Sequence, residues 1–425
     1  MAALDDTPLR ICLLSYRSNP FSGGQGVYIK NLSRALTGLG HRVDVIAGPP
    51  RLVLDEGVTV HQLPCLDLYD AENLFRFPTF KELGDPINIV EWLGVSSMGF
   101  PEPLTFGFRA WRYLLRRFHH YDVVHDNQCL SYALWGLRNR IPTTITIHHP
   151  ITRDRAVAIR AARYPWSKLK EMRWFSFIGM QRRVSMKFRQ IITVSACARD
   201  DISRDFGIVP SRFRIVPNGI SVETFRPLPG IEREPNRIMV TNSSDIPMKG
   251  LHVLLKAVAD ISRTRDVRLV VIGAPKKGSN LYRLIKDLDV GRRVTFTGRI
   301  DDDEFIRQYA RATMAVVPSL YEGFGLPAGE AMACRVPVIS TTGGALPEVV
   351  GDAGILVPPG DSEALGRAIV SLLDHPDRAR ELADKGYRRV HDTFTWTKAA
   401  EKTVEVYKET ILDYRRFQAT RTQAG

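Results

Sequence analysis

The chain has 425 residues, enough for two domains of ordinary size, and carries 59 lysines and arginines against 46 aspartates and glutamates. Hydrophobic residues make up 44% and charged residues 25%, proportions that exclude wholesale disorder. No uncharged apolar run reaches about 18 residues, and the start lacks an apolar signal core. The five scattered cysteines exclude a zinc or disulfide framework, so we expect a cytoplasmic protein with reduced thiols.

The first half of the chain has the pattern of a parallel α/β sheet. A short apolar run, Leu9–Ser15, leads into a glycine-rich turn that ends at Gly26. A helical pattern then runs from Val27 to Leu39, and a second strand follows at Arg42–Ala47. This order of strand, turn, helix and strand is typical of a βαβ unit. Later strands of the sheet are predicted at Asp122–His125, Thr143–His148 and Gln190–Val194.

A proline-rich stretch, Arg226–Pro235, interrupts the periodicity, and the alternation then begins again. Strands are predicted at Arg237–Thr241, Val267–Ile272, Arg293–Thr297, Met314–Pro318 and Val336–Ser340. The pattern predicts two doubly wound α/β domains, 1–220 and 221–395. We expect the amphipathic helix of the last segment, 396–425, to pack across both. Ligands of such sheets lie beyond the carboxyl ends of the strands, so facing domains would bind a ligand in a cleft.

The segment Glu322–Glu330, Glu-Gly-Phe-Gly-Leu-Pro-Ala-Gly-Glu, follows a predicted strand and opens a predicted helix. The backbone N–H groups of Phe324, Gly325 and Leu326 would then lie at the positive end of a helix, where phosphate or sugar oxygens bind. Carboxylates accept hydrogen bonds from neighbouring hydroxyls, as a sugar or ribose ring requires. The alternative is that Glu322 is a loop residue and Glu330 a solvated residue of the first helical turn.

The two glutamates with seven residues between them resemble the Glu-x7-Glu signature of the retaining glycosyltransferases of family 4, which have the GT-B fold of two Rossmann-like domains. The resemblance extends along nearly the whole chain. It includes Phe21–Gly26, Thr146–His148, Val216–Gly219, Lys249-Gly250 and Gly343–Glu348.

The resemblance implies a role for each matching position. Glu330 would bind the ribose of the donor, while Glu322 and the backbone of Gly323, Phe324, Gly325 and Leu326 would hold the donor sugar. Lys249 would neutralise the diphosphate together with the backbone of Gly23 and Gly24, and His148 would lie beside the donor sugar. Gly273, Arg299 and Ile300 would surround the base. The implied reaction transfers a hexose-type sugar from a UDP- or GDP-sugar to a glycan, lipid-linked or phospholipid hydroxyl with retention of configuration. It requires neither a metal nor a cofactor.

One position departs from the family pattern. Members of the family usually carry an arginine five or six residues before the lysine, whereas this chain has Ser243 and Ser244. Hydroxyl groups donate hydrogen bonds but bring no charge. We therefore expect part of the diphosphate stabilisation to come from another group.

Asp301-Asp302-Asp303 imitates the metal-binding Asp-x-Asp of another glycosyltransferase fold. Because a helical pattern follows directly, we interpret these residues as an N-cap and first helical turn. Two other functions remain as alternatives: a GT-B-like sugar epimerase or phosphorylase, and a basic nucleic-acid-binding protein. The dispersed charges and the lack of a nucleic-acid module argue against the latter.

The positive charge is concentrated in 153–189, where aromatic residues are interleaved with lysines and arginines. Such a segment suits an anionic membrane surface, and we expect peripheral binding to the inner face of the membrane. An ordinary helical insertion, whose charged heads reach the solvent while their stems pack, explains the pattern equally well. The donor base, the acceptor and the oligomeric state stay open.

Overall fold

The computed structural model describes residues 7–18, 24–69, 73, 76–162, 164–241, 246–275 and 278–423. These form two compact units. The first comprises the described residues within Met1–Val194, Ala198–Val216 and Ala399–Gly425, and the second comprises Ser195–Cys197 and Pro217–Lys398. The proline-rich stretch 226–235 therefore belongs to the second unit.

The first unit contains a seven-stranded sheet in the order β3-β2-β1-β4-β5-β6-β7, and all neighbouring strands are parallel. Its strands are β1 (Arg10–Ser15), β2 (Arg42–Ala47), β3 (Val58–Gln62), β4 (Val123–Asn127), β5 (Thr143–Thr146), β6 (Ile191–Thr193) and β7 (Phe213–Ile215). The accompanying helices are α1 (Gly24–Gly38), α2 (Pro86–Ser96), α3 (Glu102–Leu114), α4 (Ala133–Leu137), α5 (Thr152–Ala161), α6 (Pro165–Trp174), α7 (Ile178–Ser185) and α8 (Ala196–Phe206).

The second unit contains a six-stranded parallel sheet in the order β10-β9-β8-β11-β12-β13. The strands are β8 (Arg237–Thr241), β9 (Arg268–Ile272), β10 (Val294–Phe296), β11 (Met314–Val317), β12 (Val338–Thr341) and β13 (Ile355–Val357). The helices are α9 (Leu251–Ile261), α10 (Asn280–Asp287), α11 (Asp302–Arg311), α12 (Leu326–Ala333), α13 (Leu346–Val350), α14 (Ser362–Asp374) and α15 (Pro376–Thr393).

Burial explains why these apolar runs become strands. Every residue of β4, β5, β11 and β12 is buried. Parallel strands covered on both faces favour nearly continuous apolar sequences, as in β11, whereas β4 and β5 also contain buried polar residues. Three strands that the sequence analysis did not predict, β3, β7 and β13, lie at sheet edges. The first is partly exposed along its whole length, and the other two have three residues each.

The last helix, α16, runs from Trp396 to Gln423. From Ala399 onward it groups with the first unit. There the Tyr407 hydroxyl lies 2.6 Å from Nδ1 of His125, and Glu409 forms an ion pair with Arg214 at 2.8 Å. Within the described ranges, no helix combines the length and the apolar content that crossing a bilayer requires.

Candidate active site

The predicted donor-binding residues of the second unit follow the carboxyl ends of its strands. Lys249 follows β8, Gly273 follows β9, Arg299 follows β10, and Glu322 follows β11. Because the strands are parallel, these ends meet at one edge of the sheet. The fold therefore gathers at this edge residues that are far apart in the sequence.

A glycine brings Lys249 to this edge. Gly250 has a φ of 68° and is the N-cap residue that precedes α9. A Cβ at this position would lie 1.9 Å from the carbonyl oxygen of Pro318, so only glycine allows the two backbones to approach. The N–H of Leu320 donates to the carbonyl of Met248 at 2.8 Å. The lysine loop is thus fixed against the segment that follows β11.

Lys249 and Glu322 form an ion pair in which Nζ lies 2.8 Å from Oε1. The Ser319 hydroxyl donates to the same carboxylate oxygen at 2.8 Å. The Glu322 side chain is 12% exposed, whereas the lysine side chain is 35% exposed. The pair is therefore held on its carboxylate side and reaches solvent on its ammonium side.

The glycine turn at Gly343-Gly344 holds the backbone of Glu322. Gly344 has a φ of 69°, and a Cβ on it would lie 2.1 Å from the carbonyl oxygen of Glu322. The N–H of Ala345 donates to that oxygen at 2.9 Å. The next residue, Gly323, accepts a hydrogen bond from the Ser195 hydroxyl at 2.9 Å. Hydrogen bonds therefore fix the backbone carbonyls of both Glu322 and Gly323.

The start of α12 presents unused backbone donors. Gly325 has a φ of 109° and caps the helix, while the ring of Phe324 is buried and packs edge-on against Phe394 at 5.8 Å. Across the part of the chain that the structure describes, the N–H groups of Phe324, Gly325 and Leu326 have no acceptor. Free amides at a helix N-terminus attract anionic or hydroxyl oxygens.

Glu330 lies within α12 and is only partly exposed. Burial raises the pKa of its carboxyl group to about 7; the Tyr309 hydroxyl opposes the rise, Asp302 adds to it, and Lys249 opposes it. Tyr309 is 1% exposed, and its hydroxyl lies 3.4 Å from both Oγ1 of Thr241 and the carbonyl of Pro327. Sequence reasoning did not identify Tyr309, which has the spacing of an ordinary core residue in α11.

Gly273 and Arg299 lie next to each other at the ends of β9 and β10. Gly298 donates its N–H to the carbonyl of Gly273 at 3.1 Å, which pairs the two segments. Arg299 is exposed and Ile300 is half-buried. At the start of α11, the Asp301 side chain accepts from the N–H of Glu304 at 2.8 Å, which confirms the predicted N-cap. Ser243 and Ser244 lie outside the described residues.

In the first unit, His148 follows β5, and its backbone N–H donates to Oε1 of Gln128 at 2.9 Å. Its Nε2 lies 2.7 Å from Oδ1 of Asn127, whose amide nitrogen donates to the carbonyl of Gln25 at 3.4 Å. This orientation of the amide assigns the imidazole proton to Nε2 and leaves Nδ1 as an acceptor. Burial, with smaller effects from His149 and His125, lowers the pKa of His148 to about 3. The ring is therefore neutral near pH 7.

Gly24 begins α1 and is exposed, and a Cβ on it would meet no atom of the described residues within 4 Å. Its own packing does not require a glycine, which leaves the close approach of a ligand as a reason for one. Gly23 lies outside the described residues.

Two buried residues of β4 escaped the sequence analysis. His125 lies between the Tyr407 hydroxyl and the Thr146 hydroxyl, each 2.6 Å from a ring nitrogen, and burial lowers its pKa to about 3. Burial raises the pKa of Asp126 to about 7, and its Oδ2 accepts from the N–H of Leu130 at 2.8 Å. The one signal in the sequence was that polar residues follow Val123 and Val124 in this strand.

Two family models match the chain in succession. The model described as Glycosyltransferase Family 4 matches residues 22–224, and the one described as Glycosyl transferases group 1 matches residues 228–389. An MMP alpha-(1->4)-mannosyltransferase of Mycolicibacterium hassiacum is 42% identical, with 95% of this chain and 98% of the relative covered. A D-inositol 3-phosphate glycosyltransferase 2 of Catenulispora acidiphila is 27% identical, with 99% of this chain and 100% of the relative covered.

The solved structures share the fold. Sucrose-phosphate synthase from Thermosynechococcus elongatus has a TM-score of 0.71 at 24% identity, with 95% of this chain and 100% of that chain covered. WaaG, a glycosyltransferase involved in lipopolysaccharide biosynthesis, has a TM-score of 0.66 at 17% identity, with 93% of this chain and 99% of that chain covered. The matches favour a transferase over a sugar epimerase and over a nucleic-acid-binding protein. With its two parallel α/β units, the chain is an enzyme of the GT-B fold and belongs to the group 1 glycosyltransferases.

Proposed function

We propose that the enzyme transfers a mannosyl group from a nucleoside diphosphate mannose to a carbohydrate hydroxyl and forms an α-(1→4) linkage. The name of the relative at 42% identity, which is covered almost end to end, supports the sugar and the linkage. The observation that carries the donor site is the Lys249–Glu322 ion pair beside the free amides at the start of α12.

In this proposal each group of the second unit has one task. Glu322 and the amides of Phe324, Gly325 and Leu326 bind hydroxyls of the mannosyl group. Gly323 connects Glu322 to these amides and positions the backbone between them. The ionised carboxylate of Glu330 accepts the ribose hydroxyls. Lys249 provides the cation that the departing diphosphate needs where negative charge develops.

The reaction exchanges one bond at the anomeric carbon and transfers one proton. The acceptor oxygen bonds to the anomeric carbon as the bond from that carbon to the diphosphate oxygen breaks, and the leaving phosphate takes the acceptor proton. Attack on the face that the diphosphate leaves gives an α product from an α-linked donor, which is retention. The step uses no metal or cofactor.

The remaining assignments rest on the resemblance and belong to the same proposal. Gly23 and Gly24 contribute backbone N–H groups to the diphosphate, and Ser243 and Ser244 donate hydrogen bonds where relatives have an arginine. Gly273, Arg299 and Ile300 surround the base. His148, as a neutral ring whose Nδ1 has no partner among the described residues, accepts a hydrogen bond from a hydroxyl of the donor sugar.

A thermal-shift panel of GDP- and UDP-sugars tests the donor site. We expect a nucleoside diphosphate mannose to raise the melting temperature of the wild type but not that of Glu330→Ala. Glu363→Ala, on the exposed side of α14, is the matched control and should respond like the wild type. Transfer to an α-(1→4)-linked mannose oligosaccharide, with the product linkage determined by NMR, tests the reaction. The donor proposal fails if no nucleotide sugar stabilises the wild type.

A surface of α6 supports the proposed binding to an anionic membrane. Tyr164, just before the helix, and Trp166, Leu169 and Met172 within it are all more than half exposed. The exposed Lys168 and Lys170 lie among them. Exposed apolar side chains among cations suit the interface of an anionic bilayer, which gains from both contacts.

Flotation with vesicles tests this surface. Wild-type protein should float with phosphatidylglycerol vesicles at low salt and stay behind with phosphatidylcholine vesicles. Trp166→Ser combined with Leu169→Ser should abolish flotation, whereas Val209→Ser, another exposed apolar position, should not. Equal behaviour of the two variants would contradict the assignment.

A further inference from the structure

A cavity of about 240 Å³ lies at the amino end of the sheet of the first unit. Thr143, the first residue of β5, and Gln190, just before β6, line its floor. The end of α4 and one face of α16 form its walls. His148 follows the opposite, carboxyl end of β5. The cavity is therefore separate from the residues assigned to the transfer reaction.

The cavity carries an excess of positive charge. Arg138, Lys187 and Arg189 line it against a single carboxylate, that of Asp413. Oδ2 of Asp413 accepts from the Gln190 amide at 3.2 Å. Among the described residues, neither arginine forms an ion pair. Burial lowers the pKa of Arg138, and the nearby Arg189 lowers it further, so two like charges lie close together and the one carboxylate of the lining is not paired with either.

Two polar atoms in the lining are buried without a partner in the described part of the chain, Nε of Arg138 and Oε1 of Gln190. The first donates a hydrogen bond and the second accepts one. An unsatisfied buried polar atom costs about 1–3 kcal/mol. Neither atom reaches the surface of the cavity as it stands, so a ligand satisfies them only when both side chains turn toward it. A ligand that satisfies both must carry an acceptor and a donor.

We infer that this cavity binds the phosphoryl group of a small molecule, either free phosphate or a phosphorylated sugar. Phosphate oxygens accept from guanidinium groups, often through two parallel hydrogen bonds. The remaining P–OH of a monoanion, or a sugar hydroxyl, donates to the Gln190 amide oxygen. Tyr414 and Phe417 in the wall provide an apolar face on which a sugar ring can pack. The site lies in the first unit, whereas Lys249 lies in the second.

Isothermal titration calorimetry at low ionic strength tests the inference. The protein carries Lys249→Ala, so that phosphate binding at the proposed donor site does not contribute. We expect inorganic phosphate and a hexose 6-phosphate to bind with one-to-one stoichiometry. Arg189→Gln should weaken both at least tenfold. Arg140→Gln, an exposed arginine nearby in sequence that does not line the cavity, should leave both unchanged.

Binding in this cavity does not depend on the proposed transfer reaction. Arg189 is exposed, so its replacement should leave the melting temperature unchanged. Arg138→Lys retains the charge but removes the buried Nε–H, and it should also weaken binding. Tighter binding of the hexose 6-phosphate than of inorganic phosphate would identify a phosphorylated sugar, and equal binding would identify phosphate itself. Absence of binding, equal binding by Arg189→Gln, or equal binding of the unphosphorylated hexose overturns the inference.

Discussion

Removing the charge of Glu330 should stabilise the second unit at neutral and alkaline pH. The pKa of this carboxyl group rises from 4.5 to about 7 on folding, mainly because the group is buried. In the unfolded chain it loses its proton near pH 4.5, whereas in the folded protein it keeps the proton until about pH 7. The difference of about 2.5 pH units, at about 1.36 kcal/mol each, amounts to about 3 kcal/mol.

The sign follows from linkage. Because the folded state binds more protons, the stability contributed by this group is full below pH 4.5 and is lost as the pH rises to about 7. Glu330→Gln, which cannot ionise, should therefore match the wild type at pH 4.5 and exceed it by up to about 3 kcal/mol at pH 8. The variant should at the same time lose affinity for the donor, because a neutral amide replaces the proposed acceptor of the ribose hydroxyls.

Hydrogen exchange followed by mass spectrometry measures the effect where it occurs. Two units need not unfold in one step, so the free energy of opening is compared for peptides spanning β11 and α12. Taking the difference between variant and wild type at each pH removes the pH dependence of the intrinsic exchange rate. Glu363→Gln on α14 is the control and should show no difference at any pH. An equal stability of Glu330→Gln and wild type at pH 8 would refute the reasoning.

Three further substitutions have definite outcomes. Lys249→Ala should lower kcat/KM at least about 100-fold, because it removes the only cation proposed to stabilise the leaving diphosphate. Lys256→Ala, an exposed lysine on α9, is the control and should leave steady-state rates unchanged. Gly250→Ala should cost at least about 1–2 kcal/mol in urea unfolding, because it places a side chain at a φ of 68°; a wild-type midpoint would contradict the close approach described. Tyr407→Phe should cost about 1–3 kcal/mol by leaving a ring nitrogen of the buried His125 without its partner. In calorimetry of the whole protein, the unfolding transition of the first unit should occur at a lower temperature in this variant.

Central strands such as β1 and β11 could be predicted because burial on two faces favours a continuous apolar sequence. β2 and β8 have the predicted bounds. β3, β7 and β13 lie at edges, where less apolar surface is buried and pairing involves one neighbour; of the four edge strands among the described residues, β10 alone was predicted. Their sequences carry too weak a pattern for prediction, because the sheet on one side decides their conformation.

The candidate site also contains features that the sequence could predict and features that it could not. Glu322 and Glu330 could be proposed from their spacing and from the glycines between them, whereas Lys249 could be proposed only from the resemblance to the family's lysine-glycine pair. The sequence could not show that Ser319 shares a carboxylate oxygen with the lysine, or that Tyr309 is buried beside Glu330. Such contacts depend on how α11 and the loop after β11 pack, which local periodicity does not determine.

The two glutamates of one motif differ because their surroundings differ. Glu322 has a cation and a hydroxyl within 2.8 Å, so its charge is compensated before any ligand arrives. The charge of Glu330 is compensated less well. The Tyr309 phenol and Lys249 favour its ionised form, Asp302 repels it, and burial has the largest effect on its pKa. A ligand that supplies two hydroxyls would offset that burial and favour the ionised form. Donor binding should therefore release a fraction of a proton near pH 7, and the heat of binding should vary with the ionisation enthalpy of the buffer. Glu330→Gln should abolish that variation, and its persistence in the variant would assign the proton to another group.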